Sequence, residues 1–345
     1  METLYPLFEG LPQPISRGVE CLEVLNECSV IGVISIEDSC VNEVINGSRR
    51  AFYLEDMKGR IMIYGDCLDS ILDGLVLFVY GYLDFKHNFC VKSLHFPKII
   101  ESIEYPVVNS YIIAIFSDIA LISPGFDAKY LDKMINIANS SDLSIFLGNV
   151  LSNNDFPSFL GNSDLDWKMW LEIIDVSSID KISSFFGSIS KSSMIIPGFG
   201  DPVPSTLPQK SLIAELFPKQ SLLFATNPCS FSISDMNLLC SSGDQILDIL
   251  SYCTFTYIQV QELLIKYRHI APNSPHRIPY SSTFDTDSLC IKDLPHIFLC
   301  GMAPSFDISR KYGVYNISVP SFRKSKSYVI ADLSSMSFHV NNVYD

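Results

Sequence analysis

Residues 111–120 of the chain read YIIAIFSDIA, an apolar run that ends in a serine and an aspartate. A run of this length without polar interruption is typical of a strand buried on both faces. The same pattern, a short apolar strand followed by a small polar segment, recurs at 143–150 and at 193–201. Helical spacing separates these strands. Because strands that alternate with helices form layered sheets, we expect an α/β domain over residues 105–345.

Amphipathic spacing supplies the other elements of this domain. It predicts helices over 126–140, 166–188, 245–252 and 256–267, and further strands at 237–240, 296–300, 313–319 and 327–330.

Residues 28–97 show a different pattern, with five short strands in succession. The strands are predicted at 28–36, 51–55, 60–64, 75–83 and 88–96, with glycines inside strands. Such glycines suit the bends of a small barrel, so the pattern favours an OB-fold, and a plain five-stranded meander remains the alternative. Before the barrel, residues 1–27 are predicted to form an arm with one helix after Pro14.

Charge and hydropathy restrict the function classes. The chain has 38 acidic and 24 basic residues and a net charge of −14, which favours protein partners over direct binding of nucleic acid. Dense basic runs occur at 48–50 (SRR) and 323–326 (RKSK), and we interpret both as solvated turns. The apolar run 75–83 is too short to span a bilayer, so we expect no membrane contact.

Polar or sulfur side chains stand where several strands end. They are Asp118, Asn149, Asp201, Cys300 and Met302. Their order along the chain resembles the calcineurin-like metallophosphoesterases, which carry aspartate, asparagine and histidine ligands at such strand ends. Two catalytic metal ions need carboxylate and imidazole ligands. Here Ala120 and Met302 stand at positions where that family has histidine, so we expect no metal, no cofactor and no catalysis.

The remaining histidines and cysteines give weaker signals. His269 and His276 flank residues 271–275 and are open to interpretation as a ligand pair, but we favour a loop histidine and a capped or core histidine. The ten cysteines contain no C-x-x-C pair and are expected to be reduced thiols. No G-x-S-x-G nucleophile elbow is present in the sequence.

Five blocks resemble a known family more specifically. Residues 197–209 read PGFGDPVPSTLPQ and resemble the P-G-x-x-D-P-x-x-x-x-L-P-Q segment of the small (B) subunits of DNA polymerase delta. Similar blocks follow at 226–249, 268–275, 295–306 and 319–322. The matching positions are Pro197, Gly198, Asp201, Pro202, Leu207, Pro208, Gln209, Asn227, Pro228, Gly243, Arg268, His269, Pro272, Pro295, His296, Gly301 and Pro304. The chain departs from the family at Asp244-Gln245, where Gln-Asn is usual.

This resemblance implies an OB-fold barrel, an inactive phosphoesterase-like domain and a scaffold role. It implies binding to the cysteine-rich C-terminal domain of the catalytic subunit of polymerase delta and to a third subunit. It also implies a nuclear location, with DNA reached only indirectly through the complex. Two alternatives remain: the equivalent small subunit of polymerase alpha or epsilon, and a single-strand-binding OB-fold protein.

Overall fold

The computed structural model describes residues 8, 11–16, 18–38, 50–68, 71–98, 103–151, 176–217, 222–281 and 287–344. The chain divides into two compact units. The first comprises Met1–Ile100, Leu263–Ile278 and Phe284–Lys292, and the second comprises Glu101–Glu262, Pro279–Thr283 and Asp293–Asp345. The predicted domains were contiguous in sequence, whereas the first unit also takes in two segments from the later part of the chain.

The first unit is built on a closed five-stranded barrel with the order β1-β2-β3-β5-β4. Its strands are β1 (Glu27–Asp38), β2 (Arg50–Glu55), β3 (Arg60–Tyr64), β4 (Val76–Leu83) and β5 (Phe89–His95). All five were predicted. A meander pairs only successive strands, but here β3 pairs with β5 in parallel and β1 pairs with β4. The meander alternative is therefore wrong.

Glycine allows two close approaches in this barrel. A Cβ atom at Gly32 would lie 2.8 Å from the Leu54 side chain, and one at Gly81 would lie 2.0 Å from the Cys90 carbonyl oxygen. The register between β4 and β5 shifts at Gly81. Only glycine fits at such contacts, which explains why glycines interrupt apolar strands.

The prediction of a helix in the arm is wrong for described residues 18–27. The only helical element among these residues is one 3-10 turn, Val19–Cys21. The Val19 amide donates to Asp56 Oδ2 at 2.7 Å, and Val24 forms a bridge with Leu83 of β4. These contacts with the barrel satisfy the backbone groups that a longer helix would have satisfied internally.

The second unit contains a six-stranded sheet with the order β16-β15-β6-β7-β8-β9. Its strands are β6 (Ile112–Ser117), β7 (Leu143–Leu147), β8 (Ser192–Ile196), β9 (Leu222–Phe224), β15 (Ser327–Asp332) and β16 (Ser337–Asn342). Strands β6 to β9 are parallel. Their carboxyl ends therefore lie at one edge of the sheet.

A five-stranded sheet completes the second unit, with the order β10-β11-β12-β14-β13. Its strands are β10 (Cys229–Ile233), β11 (Met236–Ser241), β12 (Ile297–Ala303), β13 (Asp307–Lys311) and β14 (Val314–Pro320). Strands β11, β12 and β14 are parallel.

The two sheets of the second unit pack against each other. Alternate residues of the six-stranded sheet, such as Ile113 and Ile145, share one buried cluster with Leu238, Ile297 and Ile317 of the other sheet. The residues that point to the other face of the six-stranded sheet pack on helices. These helices are α1 (Leu131–Ser140) and α2 (Val176–Gly187). The predicted α/β layering is thus present.

Helices also cover the five-stranded sheet. They are α3 (Asp244–Leu250) and α4 (Tyr257–Lys266), and a four-residue helix, α5 (Phe322–Ser325), follows β14. Gln261 of α4 is buried, and its amide donates to the Phe298 and Ile317 carbonyls at 2.7 and 3.3 Å. The first part of the helix predicted at 166–188 lies outside the described residues. No helix in the described part of the chain has the length and apolarity needed to cross a membrane.

Asp287 is held in the first unit by a set of donors. His269 Nε2 lies 3.0 Å from Asp287 Oδ2, and the Leu289 amide donates to Oδ1 at 2.9 Å. Burial alone would raise the pKa of Asp287, but the hydrogen bonds from His269 and the Leu289 amide lower it to about 2. A carboxyl with a depressed pKa stabilises the fold above its unfolded pKa near 3.8, and this stabilisation is lost as the pH falls towards 2.

We predict that Asp287→Asn lowers the free energy of unfolding by about 1 kcal/mol at neutral pH. The depressed pKa corresponds to about 2 kcal/mol, and solvent screening of a side chain that is 37% exposed reduces this value. Urea unfolding at neutral pH and near pH 3 tests this prediction, because the difference in the free energy of unfolding between the variant and the parent should shrink in acid. Asp293→Asn, at an exposed aspartate, is the control. A loss that is the same at both pH values would contradict the prediction.

Candidate functional site

The site lies in the second unit, at the carboxyl ends of the parallel strands of both sheets. Asp118 follows β6, Asn149 follows β7, and Asp201 follows β8. Met302 lies at an irregularity within β12, and Ser321 follows β14. The sequence predicted that Asp118, Asn149 and Met302 belong to one site, and the fold brings them together.

The backbone is strained at four residues, which lie at three of these strand ends. Asp118, Ala120, Asn149 and Met302 have φ values of 53, 50, 48 and 53°, in the left-handed region that non-glycine residues seldom adopt. Such conformations cost on the order of 1 kcal/mol each and persist only where surrounding contacts enforce them. Clusters of this kind occur at functional sites, so the strain supports the assignment of a site here.

Asp118, Asn149 and Met302 contact one another directly. The Asn149 amide nitrogen donates to Asp118 Oδ1 at 3.3 Å and to Met302 Sδ at 2.9 Å. The Asn149 amide oxygen accepts from the Gly200 backbone N–H at 2.8 Å, which fixes the orientation of the amide group. Asn149 therefore presents N–H groups, not a lone pair, to the aspartate.

Asp118 also has a cationic partner. Arg323 Nη2 lies 3.2 Å from Asp118 Oδ1, and the Ser321 hydroxyl donates to Oδ2 at 2.6 Å. The aspartate side chain is only 3% exposed, whereas that of Arg323 is 39% exposed. Sequence reasoning interpreted Arg323 as part of a solvated basic turn and missed this contact. The signal was its position two residues after Ser321, at the end of a parallel strand.

Asp201 has a different role. Its carboxylate accepts backbone N–H bonds from Val150 at 3.0 Å, Leu151 at 2.7 Å and Gly198 at 2.9 Å. It ties the loop after β8 to the loop after β7. The predicted association with the site is found, but this side chain is directed at backbone amides.

A buried polar network continues from the site under the five-stranded sheet. Gln209 Nε2 donates to the Gly198 carbonyl at 3.0 Å, and Asn227 Nδ2 donates to Gln209 Oε1 at 3.2 Å and Ser242 Oγ at 2.7 Å. Ser242 donates in turn to Asp244 Oδ2 at 2.8 Å. The family-motif positions Gln209 and Asn227 are thus structural, since each satisfies buried polar groups.

Asp244 ends this network. It also accepts from the Phe199 backbone N–H at 3.0 Å. Burial and the nearby Asp201 and Asp118 carboxylates together raise the pKa of Asp244 to about 6, against the opposing effect of the two hydrogen bonds. Asp244 is also the position at which the sequence departs from the motif that it resembles.

Glycine is required where the two sheets' strand ends approach each other. A Cβ atom at Gly301 would lie 2.4 Å from Ser117 Oγ, and one at Gly198 would lie 2.6 Å from the Asn149 backbone nitrogen. At Gly243, where φ is +95°, it would lie 2.2 Å from the Gly301 carbonyl oxygen. These three family-motif positions are therefore explained by close packing.

Other predicted motif residues lie elsewhere. Arg268, in the first unit, donates to the Lys292 and Lys98 carbonyls at 3.1 Å each. The backbone oxygen of Pro272 would lie 1.7 Å from a Cβ atom at Gly74, so it packs tightly there. The ring of His296, in the second unit, accepts from the Asn237 N–H at 2.8 Å, and its other nitrogen lies 3.1 Å from the Glu104 carbonyl.

Cys300 and most of the remaining motif residues pack inside the unit. Burial raises the pKa of the Cys300 thiol well above its ordinary value. The buried motif residues are Pro197, Pro202, Leu207 and Pro295, whereas Pro208 and Pro228 are half-buried and Pro304 is exposed. Among them, Leu207 bridges to Tyr280 within the second unit.

The alternative of a metal bound by His269 and His276 is not supported by their contacts. His276 Nδ1 lies 3.4 Å from Asp73, whereas His269 contacts Asp287. The group of side chains in the described residues that comes nearest to a metal site is His269, Asp287 and Cys290, whose ligand atoms lie within 4.8 Å of one another.

This group does not fit a metal ion. The Ala271 N–H points at His269 Nδ1 at 3.2 Å, so the ring proton belongs on Nε2, which faces Asp287 and offers no lone pair. Burial raises the pKa of the Cys290 thiol to about 12, so a metal would bind here only at the cost of deprotonating that thiol.

Comparison with known proteins identifies the family. The family model for the B subunits of DNA polymerases alpha and epsilon matches residues 113–308, and the chain belongs to this family. The predicted family membership is therefore confirmed. The match covers the strand-end site up to β12 and the start of β13.

Curated relatives are named as subunits of polymerase delta. The chain is 25% identical to the DNA polymerase delta small subunit of Saccharomyces cerevisiae over 84% of this chain and 69% of that protein. It is 30% identical to the DNA polymerase delta small subunit of Arabidopsis thaliana, over 42% and 35%. It is 24% identical to DNA polymerase delta subunit 2 of Drosophila melanogaster, over 48% and 42%. The chain thus spans less than half the length of the last two relatives.

Solved structures with partial likeness include an archaeal phosphodiesterase and Vacuolar Protein Sorting 29 from Cryptosporidium parvum. The first is 11% identical, with a TM-score of 0.35, and covers 67% of this chain and 98% of that one. The second is 11% identical, with a TM-score of 0.33, over 67% and 96%. Likeness at this level decides nothing about the function of this chain.

We predict that Arg323→Ala lowers the free energy of unfolding by about 1–3 kcal/mol, because it leaves the buried Asp118 carboxylate without its cation. The double variant Arg323→Ala, Asp118→Asn should recover at least about 1 kcal/mol relative to the sum of the single variants. Denaturant unfolding of the four proteins measures this coupling. Lys324→Ala, which removes the neighbouring charge, is the control. Strict additivity of the two single changes would show that the ion pair contributes nothing.

Asp244→Asn is expected to stabilise the protein in a pH-dependent way. A carboxyl whose folded pKa is raised from 3.8 to about 6 costs stability as the pH rises through that window. The asparagine keeps an acceptor oxygen and carries no charge, so the gain should reach about 2–3 kcal/mol above pH 7 and vanish near pH 4. Thermal and urea unfolding across this range measure it, with the exposed Asp132→Asn as control. A gain that does not change with pH would be inconsistent with this account.

Proposed function

We propose that the chain is a non-catalytic accessory subunit of DNA polymerase delta, with a scaffold role in DNA replication. Membership in the B-subunit family and the names of the curated relatives support this role. The observation that carries the proposal is the state of the strand-end site. Its Asp118 carboxylate is bonded by Arg323, Ser321 and Asn149 of the chain itself.

The donor set supports the absence of phosphoesterase chemistry. A two-metal hydrolase must hold both ions with several carboxylates and imidazoles that point at a common position. Here Asp201 points at backbone amides, Asn149 presents N–H groups, and Ala120 and Met302 offer no hard ligand. The arrangement therefore suits a rigid support for the loops after the strands.

We also propose that the two units are an OB-fold over about residues 28–97 and an inactive calcineurin-like phosphoesterase domain over about 105–345. The strand order of the closed barrel supports the first assignment. Two packed sheets with helices outside them, and polar loops at the carboxyl ends of the parallel strands, support the second.

The proposed partners are proteins. They are the cysteine-rich C-terminal domain of the catalytic subunit and a third subunit of the polymerase, within a nuclear complex. The net charge of −14 suits a subunit that associates with proteins. Basic side chains on the barrel do not favour a strand-binding role for it, because Lys92 is paired with Glu27, and Arg60 with Glu37 and Glu55.

Co-purification tests the accessory role. The full chain should be co-expressed separately with the C-terminal domains of the catalytic subunits of polymerases delta, alpha and epsilon from the same organism. We expect a stable complex with the delta domain alone, and no metal-dependent phosphodiester hydrolysis by the purified chain. A complex with the alpha or epsilon domain in place of delta would reassign the subunit. Hydrolysis that is abolished by Asp118→Asn would falsify the non-catalytic role.

A further inference from the structure

Three lysines lie around Tyr130 and Val343 on the second unit, and a fourth, Lys324, is exposed on α5 two residues before one of them. Lys129 and Lys133 belong to the start of α1 and the turn before it, and Lys324 and Lys326 belong to α5 and its end. The ammonium groups of Lys129 and Lys326 lie 4.9 and 5.3 Å from the centre of the Tyr130 ring. The fold therefore joins the basic run at 323–326, which we interpreted as a solvated turn, with two lysines from a distant part of the sequence.

The positive charge of this cluster is only partly neutralised. Within the described chain, Lys129 is the member that pairs with a carboxylate, that of Asp127 at 2.7 Å. Lys133 and Lys326 donate to the Val343 and Arg323 carbonyls at 2.5 and 2.8 Å. A carbonyl orients an ammonium group but does not cancel its charge. Like charges gathered on a chain of net charge −14 form a local site for an anion.

An exposed aromatic ring stands beside these lysines. Tyr344 is 60% exposed, its ring centre lies 5.8 Å from Lys129 Nζ, and its hydroxyl is hydrogen-bonded to that of Tyr130. The hydrogen bond to the Tyr130 hydroxyl fixes the orientation of the Tyr344 ring. A fixed, exposed ring among cations is the arrangement on which bases of single-stranded nucleic acid stack while the cations meet the phosphates.

We propose that Lys129, Lys133, Lys324, Lys326 and Tyr344 bind single-stranded nucleic acid, with the lysines on its phosphates and one base on the tyrosine ring. An acidic protein segment would use the lysines but would leave the ring exposed, so the ring favours nucleic acid. The inference goes beyond the accessory role, which needs only protein contacts. It also differs from the expectation that DNA is reached only indirectly.

Fluorescence anisotropy of the full chain with a fluorescein-labelled oligothymidylate tests the proposal. Four phosphate contacts give a plot of log affinity against log salt with a slope of about −3. Lys129→Glu with Lys326→Glu should weaken binding at least about tenfold and reduce the slope by about half. Lys191→Glu with Lys210→Glu is the matched control, because it makes the same change of net charge at two exposed lysines elsewhere.

The tyrosine has its own pair of variants. Tyr344→Ala should weaken binding by about five- to a hundredfold, whereas Tyr344→Phe keeps the ring and should retain most of the affinity. Far-ultraviolet circular dichroism and thermal unfolding establish that each variant is folded before its affinity is compared.

Three outcomes would overturn the proposal. The first is no salt-dependent binding by the parent chain. The second is an equal loss in the control pair, which would mean that only net charge matters. The third is displacement of the oligonucleotide by polyglutamate at equal charge concentration with no effect of Tyr344→Ala, which would make the cluster a surface for acidic proteins. Co-purification with the catalytic subunit is a separate measurement, so failure here leaves the accessory role intact.

Discussion

The ion pair between Asp118 and Arg323 is the interaction around which the second unit is arranged. A carboxylate that is 3% exposed at the end of a parallel strand requires a positive partner, because an unpaired buried charge is among the costliest defects in a protein. Arg323 of α5 supplies that charge, and the Ser321 hydroxyl and the Asn149 amide donate further hydrogen bonds to the carboxylate.

Because its partners come from different strands, Asp118 couples the loops of both sheets. Asn149 belongs to the loop after β7, Ser321 to the end of β14, and Met302, which Asn149 contacts, to β12. Asp118, Asn149 and Met302, three of the four left-handed residues, take part in these contacts. These contacts orient the loops, which are the parts of a fold that most often contact other molecules.

Electrostatics differ between neighbouring parts of this unit. The Asp244 carboxylate is placed in a buried network at a cost that rises with pH, and close to the Asp201 and Asp118 carboxylates. Lys129 and Lys326 meanwhile lie over the Tyr130 ring in a chain that is strongly acidic. Net charge therefore describes the chain as a whole but not the surfaces that a partner would meet.

The sequence by itself determined the barrel strands, the parallel strands β6, β7 and β8, and the absence of histidine at positions such as Ala120, because alternation and local spacing are properties of neighbouring residues. It did not indicate the edge strands β9, β10, β13 and β16, whose pairing depends on a partner strand and not on a buried apolar run. It also predicted a helix in the arm, where contacts with the barrel allow only one turn. Only the tertiary structure decided that Arg323 contacts Asp118 and that Lys326 and Lys129 lie over the same Tyr130 ring, since these contacts join residues that are far apart in the chain.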